Sequence, residues 1–128
     1  MSARHRMWGF GVPAIDIDFL LVEYHGYRPV ALIEYKHHTA SEQRVNDRAF
    51  EPLKWLAGKA GIPCFAVRYN PENWTFTVVP LNDRAKDKAD RSQMTEEDYV
   101  RLLYKLRGQE MPADLDIGSP LFPKLKVV

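Results

Sequence analysis

The segment IDIDFLLVEYHGYRPVALIEYK, residues 15–36, decides the fold and places charged residues within two apolar stretches. Its apolar and polar side chains alternate as in β-strands, which predicts one strand over 15–24 and a second over 29–36. The short connection, residues 25–28, requires the two strands to be antiparallel. Charges inside apolar strands are costly to bury without compensation. The question is therefore why this hairpin carries them.

The pairing register of the hairpin decides whether its charges meet. Side chains of a strand alternate between faces, so Asp16 and Asp18 share one face of the first strand. By the same rule, Glu34 and Lys36 share one face of the second strand. A connection of three or five residues places Asp18 opposite Glu34, and it places Asp16 opposite Lys36. A connection one residue longer or shorter separates the charges, so we expect the odd-numbered loop.

Carboxylates that cluster at the end of an apolar hairpin repel one another and lose hydration. A divalent cation relieves both costs, and carboxylate oxygens are the ligands that Mg²⁺ and Mn²⁺ prefer. Lys36 alone neutralises one acid, whereas a metal ion accounts for the surplus of negative charge. A bound ion polarises a phosphoryl oxygen and acidifies water, while a neighbouring lysine orients that water or stabilises developing charge. The residues therefore predict metal-dependent chemistry on phosphates.

The rest of the chain predicts an α/β protein with a central mixed β-sheet flanked by helices, in the order β-β-α-β-β-α, within a single domain over residues 1–128. The further elements are a helix within residues 39–62, strands over 63–69 and 74–80, an exposed loop over 82–93 and a helix from Thr95 to Gly108. The first helix either kinks at Pro52 or begins shortly before it. Four aromatic residues are expected in the core: Trp55, Phe65, Trp74 and Phe76.

Composition narrows the class of protein. A hydrophobic fraction of 45% and a charged fraction of 27% are typical of a globular domain. The net charge of +1 gives no overall attraction to nucleic acid, although a local basic patch stays open. The chain has no run near the ~20 apolar residues that span a membrane, and its start lacks the apolar stretch of a signal peptide. A single cysteine, Cys64, fits a reducing compartment, so we expect a cytoplasmic protein without a membrane partner.

The residues Asp18, Glu34 and Lys36 resemble the D…(D/E)-x-K signature of the PD-(D/E)XK, or restriction-endonuclease-like, nucleases. In that family the acid lies on one strand and E-x-K on the next, after an apolar run that is VALI here. The resemblance covers about residues 13–80 and implies the family's α-β-β-β-α-β core. The literal Pro-Asp pair is absent, and fourteen residues precede Ile15 where the family usually has a helix. A truncated helix, a helix from a partner and a weakened copy are the alternatives.

The resemblance also implies a function and a set of roles. Asp18 and Glu34 are expected to hold Mg²⁺ or Mn²⁺ with the backbone carbonyl of Tyr35, and Lys36 to assist the attacking water. The expected reaction is hydrolysis of phosphodiester bonds in DNA, with RNA left open as a substrate. Because no separate recognition domain is evident, the protein is expected to act within a homodimer or larger assembly, or on a branched or damaged DNA structure. Asp16 is either a further metal ligand or an exposed residue at the strand end.

Other positions are candidates for contacting nucleic acid. His37 follows the motif directly and either touches phosphate or metal or forms an exposed strand end. Gln43, Arg44 and Arg48 lie near the start of the first predicted helix, a region that lines the DNA cleft in related nucleases. A solvated helix face is the alternative for these three. Two residues of a later strand, Arg68 and Tyr69, either reach the cleft or serve packing.

Two rival interpretations stay open. In the first, the same fold serves as a nucleic-acid-binding or assembly module that catalyses no reaction. In the second, the chain is an interaction domain whose acids and lysine form surface ion pairs. The second rival predicts that the carboxylates of Asp18 and Glu34 lie far apart.

Overall fold

A computed structural model of the chain describes residues 1–11, 13–23, 25–40, 48–115 and 117, and it confirms an α/β fold with a central mixed sheet flanked by helices. The elements, in chain order, are α1 (Ser2–Arg6), β1 (Phe19–Val22), β2 (Pro29–His37), α2 (Glu51–Ala60), β3 (Cys64–Asn70), β4 (Thr75–Pro80), α3 (Asp83–Lys86), β5 (Ser92–Thr95) and α4 (Glu96–Leu106). A single 3₁₀ turn over Arg48–Phe50 leads into α2. Within the described ranges, no helix is long and apolar enough to cross a membrane.

The sheet is open and has the strand order β1-β2-β3-β4-β5. Neighbouring strands are antiparallel except β2 and β3, which are parallel. Parallel neighbours need a crossover connection, and the segment containing α2 provides it. The helix begins just before Pro52, as one of the two sequence alternatives predicts, and Gly61 ends it with a left-handed φ of 71°. This crossover follows directly on the strand that carries Glu34 and Lys36.

The hairpin has the predicted register, but its loop is not the expected one. Phe19 pairs with Ile33 and Leu21 with Ala31, so the next position outward aligns residue 18 with residue 34. Pairing then shifts by one residue at Val22, and the backbone N–H of Glu23 donates to the Arg28 carbonyl at 2.9 Å. Four residues, 24–27, therefore lie between these partners. An even-numbered loop combined with a one-residue shift gives the same register as an odd-numbered loop without one.

Two predicted boundaries are wrong. The first strand covers Phe19–Val22 rather than 15–24, and residues 13–18 have no regular structure. Charged Asp16 and Asp18 disfavour strand there, and the alternating pattern of 15–24 does not reveal that loss. The segment 82–93 is not an exposed loop but contains α3 and the first half of β5. The sequence predicted a loop there because few apolar residues, such as the buried Ala85, lie among many charged ones.

The core lies on both faces of the sheet. The face that we call the α2 face packs seven buried residues together: Leu32, Phe50, Leu53, Ala57, Ile62, Cys64 and Leu81. The opposite face, the α4 face, packs eight: Ile33, Phe65, Val67, Phe76, Val78, Ala85, Tyr99 and Leu102. Alternation along β2 therefore puts Glu34 and Lys36 on the α2 face, because Leu32 precedes them by two and four positions.

Two of the four aromatic residues expected in the core are exposed. Phe65 and Phe76 are buried as predicted, whereas Trp55 is 66% exposed and Trp74 is 40% exposed. Trp55 lies off the buried stripe of α2, where the Lys59 ammonium lies 5.5 Å from its ring centroid. Trp74 ends the turn before β4 with a positive φ of 51°. A large aromatic side chain is therefore not by itself evidence that a residue is buried.

The side chain of Asn82 joins α3, β3 and the connection between α2 and β3, which makes it a sensitive test of the fold. Its Oδ1 accepts from the N–H of Ala85 at 2.9 Å, which caps α3, and from the N–H of Cys64 at 3.1 Å. Its Nδ2 donates to the Ile62 carbonyl at 3.0 Å. We expect Asn82→Ala to lower the free energy of unfolding by about 2–3 kcal/mol, since it removes a cap and leaves two further backbone groups unpaired. Urea denaturation measures this change.

The matched control is Asn82→Asp, which keeps the acceptor and replaces the donor to the Ile62 carbonyl with a second oxygen. We expect a loss of about 1 kcal/mol for this variant. Equal stability of the wild type and both variants would contradict the assigned role of Asn82.

Candidate functional site

The hairpin brings together the three residues of the predicted signature. Asp18, just before β1, accepts a hydrogen bond at its Oδ2 from the backbone N–H of Tyr35 at 3.1 Å. The Lys36 ammonium lies 3.2 Å from Oε1 of Glu34. The negative charge of Asp18 contributes to raising the pKa of Glu34, so the two carboxyl groups lie close enough to interact electrostatically. The separation of the two carboxylates that the interaction-domain alternative predicts is therefore not observed.

Glu34 is in an electrostatically unfavourable position. Its side chain is 14% exposed, and its Oε2 is buried without a hydrogen-bond partner among the described residues. Burial raises the pKa of the Glu34 carboxyl above its usual value, the ion pair with Lys36 opposes that rise, and the negative charge of Asp18 adds to it. Two acids and one ammonium leave one net negative charge when both acids are ionised. A further cation or a bound proton would relieve this excess.

A divalent cation fits the donor atoms at this point. The N–H and C=O of one strand residue point to the same side, so the Tyr35 carbonyl faces the segment that carries Asp18. This carbonyl, the Asp18 carboxylate and the unpartnered Oε2 of Glu34 are hard oxygen donors. Within the described part of the chain, no group of three or more His, Cys, Asp and Glu side chains is arranged to hold a metal. Mg²⁺ commonly takes one or two carboxylates and completes its shell with water and substrate phosphate.

Tyr35, between Glu34 and Lys36, anchors the strand on the α4 face. Its hydroxyl lies 2.5 Å from the hydroxyl of Tyr99 on α4, and its ring meets Phe19 edge-on at 4.9 Å between centroids. This packing fixes β2 against both α4 and β1, and the two residues that flank Tyr35 are thereby held toward the α2 face. The position between the acid and the lysine is therefore a structural anchor.

Protein nucleophiles near the site are held in their neutral forms. Burial raises the pKa of the Cys64 thiol to about 11, so it stays protonated at neutral pH. Burial also raises the pKa of the Tyr35 and Tyr99 hydroxyls. These three groups are therefore poor nucleophiles.

The remaining predicted site residues lie in different surroundings. Asp16 is exposed in the irregular segment before β1, and the salt bridge of Lys36 is with Glu34 and not with Asp16. The reason is that β1 begins only at Phe19, so strand alignment does not extend to residue 16. His37 lies on the α4 face, with its Nδ1 2.7 Å from the Thr39 hydroxyl. Arg48 is exposed at the turn before α2. Two other candidates lie outside the described residues: Gln43 and Arg44.

A cavity of about 450 Å³ opens on the α2 face beside Lys36. Among the described residues, its charged lining consists of Lys36, Arg68 and Arg91, and its neutral lining includes Ala40, Phe50, Ala66, Thr77, Val79 and Leu81. Sequence reasoning named Arg68 as able to reach the cleft, and strand alternation supports that interpretation because Arg68 is in register with Lys36. Arg91 was missed because it falls in the segment expected to be an exposed loop. The missed signal was the modest alternation of residues 92–95, which forms β5 next to it.

Comparison of the chain with protein-family models, with curated proteins and with solved structures found no match. The family resemblance therefore rests on Asp18, Glu34 and Lys36 and on their surroundings.

The electrostatics of the acid pair give a prediction about pH. We expect the Glu34 carboxyl to titrate above its ordinary value of 4.5, and Asp18→Asn to bring its pKa down because a neighbouring negative charge is removed. The folded protein holds this proton more tightly than the unfolded chain does. The stability that Glu34 contributes is therefore full below about 4.5 and is lost as the pH rises through the raised pKa. Carbon-detected NMR of the glutamate side chains measures the titration.

The control for this titration is Asp16→Asn, which removes an exposed acid without a contact to Glu34. It should leave the Glu34 pKa unchanged. An ordinary pKa for Glu34 in the wild type, with no response to Asp18→Asn, would show that the two acids are not coupled.

Proposed function

We propose that this protein is a metal-dependent nuclease that hydrolyses DNA phosphodiester bonds with Mg²⁺ or Mn²⁺. The observation that supports this most strongly is the meeting of Asp18 and Glu34 beside Lys36, with a buried Glu34 oxygen that has no partner among the described residues. Ordinary surface ion pairs do not leave a buried carboxylate oxygen unpaired. A site built to receive a cation and a phosphate accounts for all of these features.

Each residue has a role in this proposal. Asp18, Glu34 and the Tyr35 carbonyl would hold the ion, which supplies acidification of a water molecule and neutralisation of charge on the phosphate. Lys36 also lines the cavity, so its ammonium lies between the acid pair and the space open to a substrate. From there it can orient the attacking water and stabilise the negative charge that develops on the phosphoryl oxygens.

The arrangement of elements supports the PD-(D/E)XK type within this proposal. The strand that carries Glu34 and Lys36 lies between β1 and β3, with the Asp18 segment on one side. A crossover through α2 then leads to a parallel neighbour. These features support a restriction-endonuclease-like core as part of the proposal, with two described strands before the crossover helix where the family's core has three. A cytoplasmic location is part of it as well.

Assembly into a homodimer is a further part of the proposal. β1 is an edge strand, and three of its four side chains are exposed although they are apolar: Phe19, Leu20 and Val22. Long or apolar exposed edges tend to pair with another chain. The Asp18 segment adjoins this strand, so a partner bound there would lie near the site.

The main alternative is a nuclease-like module that binds nucleic acid or supports assembly without catalysis. It is favoured by the sparse ligand set, since two acidic side chains meet among the described residues and Lys36 already pairs with one of them. In that case the acid pair would hold a cation or proton for structural reasons. Metal-dependent cleavage separates the two functions.

The test of the proposed function is cleavage of plasmid, linear, single-stranded and branched DNA with Mg²⁺, Mn²⁺ or EDTA. We expect products with either metal and none with EDTA. Lys36→Ala and Glu34→Ala should each lower the rate by about 10²–10³-fold, because each removes charge stabilisation at the reacting phosphate or its activating ion.

Lys105→Ala is the matched control for this assay, since Lys105 is exposed on α4 at the other face of the sheet, and its rate should equal that of the wild type. Cleavage that persists in EDTA, or that survives both site substitutions, would contradict the proposed site. No product from any substrate would favour the non-catalytic alternative.

A further inference from the structure

An aromatic surface lies on the α4 face, where β2 and β3 end, and we call it the Trp74 surface: His37, Tyr69 and Trp74. Trp74 is 40% exposed, and the other two side chains are partly exposed. The Tyr69 ring lies nearly parallel to the Trp74 ring, at 12° and 6.5 Å between centroids. The His37 ring meets Tyr69 edge-on at 5.4 Å. The proposed metal site uses none of these three rings.

Trp74 has a backbone conformation that bulky side chains rarely adopt. Its φ of 51° lies in the left-handed region, which glycine and asparagine occupy more readily. The turn holds this conformation, because Oδ1 of Asn73 accepts from the Thr75 N–H at 3.2 Å and from the Thr75 hydroxyl at 2.9 Å. A large apolar side chain that is both strained and exposed points to a role beyond the fold.

Buried rings anchor the indole of Trp74 to the core. The Phe76 ring, two positions further along β4, lies 6.3 Å from the Trp74 ring at an angle of 26°. Phe76 stacks in turn on Tyr99 of α4, at 4.5 Å and 17°. An exposed ring that is already held in this way loses little conformational freedom when it stacks on a ligand, which favours binding.

Flat ligands suit this surface. The nearly parallel rings of Tyr69 and Trp74 present their π-faces in the same orientation, and a nucleobase of any identity stacks on such faces. The bases of a continuous duplex are stacked on one another, so an unpaired base is the available form. The surface also adjoins the proposed site in sequence, because His37 follows Lys36 directly and pairs in register with Tyr69. A strand held at the acid pair would therefore pass this end of β2.

We propose that the Trp74 surface binds an unpaired base of single-stranded DNA by stacking on Trp74, at the same end of β2 as the site that would cleave the strand. That the strand is DNA rests on the proposed function. The surface adds a substrate form, since it favours single-stranded, flapped or branched DNA over continuous duplex. Trp74 is a binding residue in this account, and Tyr69 and Phe76 hold its ring in place.

The experiment measures binding in EDTA, where cleavage plays no part. Fluorescence anisotropy compares a labelled thymidine oligonucleotide of about ten nucleotides with an abasic one of equal length, which carries the same charge without bases. Trp74→Gly is the informative variant, because glycine adopts the positive φ at this position without strain. Trp74→Phe keeps an aromatic ring. Trp55→Ala is the matched control, since Trp55 is exposed on α2 at the other face of the sheet.

The wild type should bind the thymidine oligonucleotide about tenfold more tightly than the abasic one, because a base gains free energy by stacking on an aromatic ring. Trp74→Gly should lose this preference. Its affinity for the abasic oligonucleotide, and its slope of log affinity against log salt, should equal those of the wild type, since no phosphate contact is removed. Trp74→Phe should keep a preference for bases, and Trp55→Ala should match the wild type.

A preference that Trp74→Gly retains, or equal binding of both oligonucleotides by the wild type, would overturn the inference. Equal loss of affinity for both in a folded Trp74→Gly would overturn it too, because that result indicates a structural role. Urea denaturation shows whether this variant is folded. Trp74→Leu, which keeps an apolar side chain without a ring, should also lose the preference, and it decides the question if the glycine variant does not fold.

The outcome is independent of catalysis. Base-dependent binding that is lost in Trp74→Gly, in a protein that cleaves nothing with metal, would support the Trp74 surface and remove the nuclease. Metal-dependent cleavage by a protein that binds both oligonucleotides equally would do the reverse. An absence of DNA binding by the wild type would overturn the inference as well.

Discussion

The close approach of the Asp18 and Glu34 carboxylates is the constraint on which the site depends. The exposed Asp18 and the partly buried Glu34 repel, and Lys36 compensates only one of them. The hairpin nevertheless holds them together, because the register of β1 against β2 aligns their positions and the Tyr35 N–H binds Asp18. Packing of the Tyr35 ring and hydroxyl on the opposite face stabilises that register. The apolar packing of the hairpin thus maintains an arrangement that its own charges disfavour.

The same face of the sheet connects the acid pair to the cavity. Glu34, Lys36 and Arg68 lie on neighbouring positions of two parallel strands, and Arg91 lines the cavity from the segment before β5. Lys36 both pairs with Glu34 and lines the cavity, so the acid pair adjoins this space. In the proposed nuclease, a metal ion at the acids and a phosphate near Lys36 would therefore be neighbours. The opposite face is occupied by the aromatic packing of Tyr35, Phe76 and Tyr99.

The strands of the hairpin and their register were predictable from sequence because their side chains alternate strongly. The register of the hairpin followed from the positions of Asp18 and Glu34 and from side-chain alternation, and the structure has it. The length of the hairpin loop could not be predicted from the register, because a one-residue shift near Val22 compensates for the four-residue connection. Arg91 could not be placed, because β5 depends on pairing with β4 and not on its own weak pattern. The burial of the Glu34 side chain and the contacts of Asp16 depend on tertiary packing, which local sequence does not encode.

The central claim is that Asp18 and Glu34 bind a divalent cation. Calorimetric titration with Mn²⁺ in the absence of DNA tests it most directly, because it measures the affinity of the acid pair for a cation without requiring a substrate. Wild type should bind Mn²⁺, and Asp18→Asn and Glu34→Gln should each weaken binding at least about tenfold through loss of a charged ligand. Asp16→Asn, the change of an exposed acid outside these contacts, should bind as the wild type does. Absence of Mn²⁺ binding by the wild type, or equal binding by all four proteins, would contradict the account.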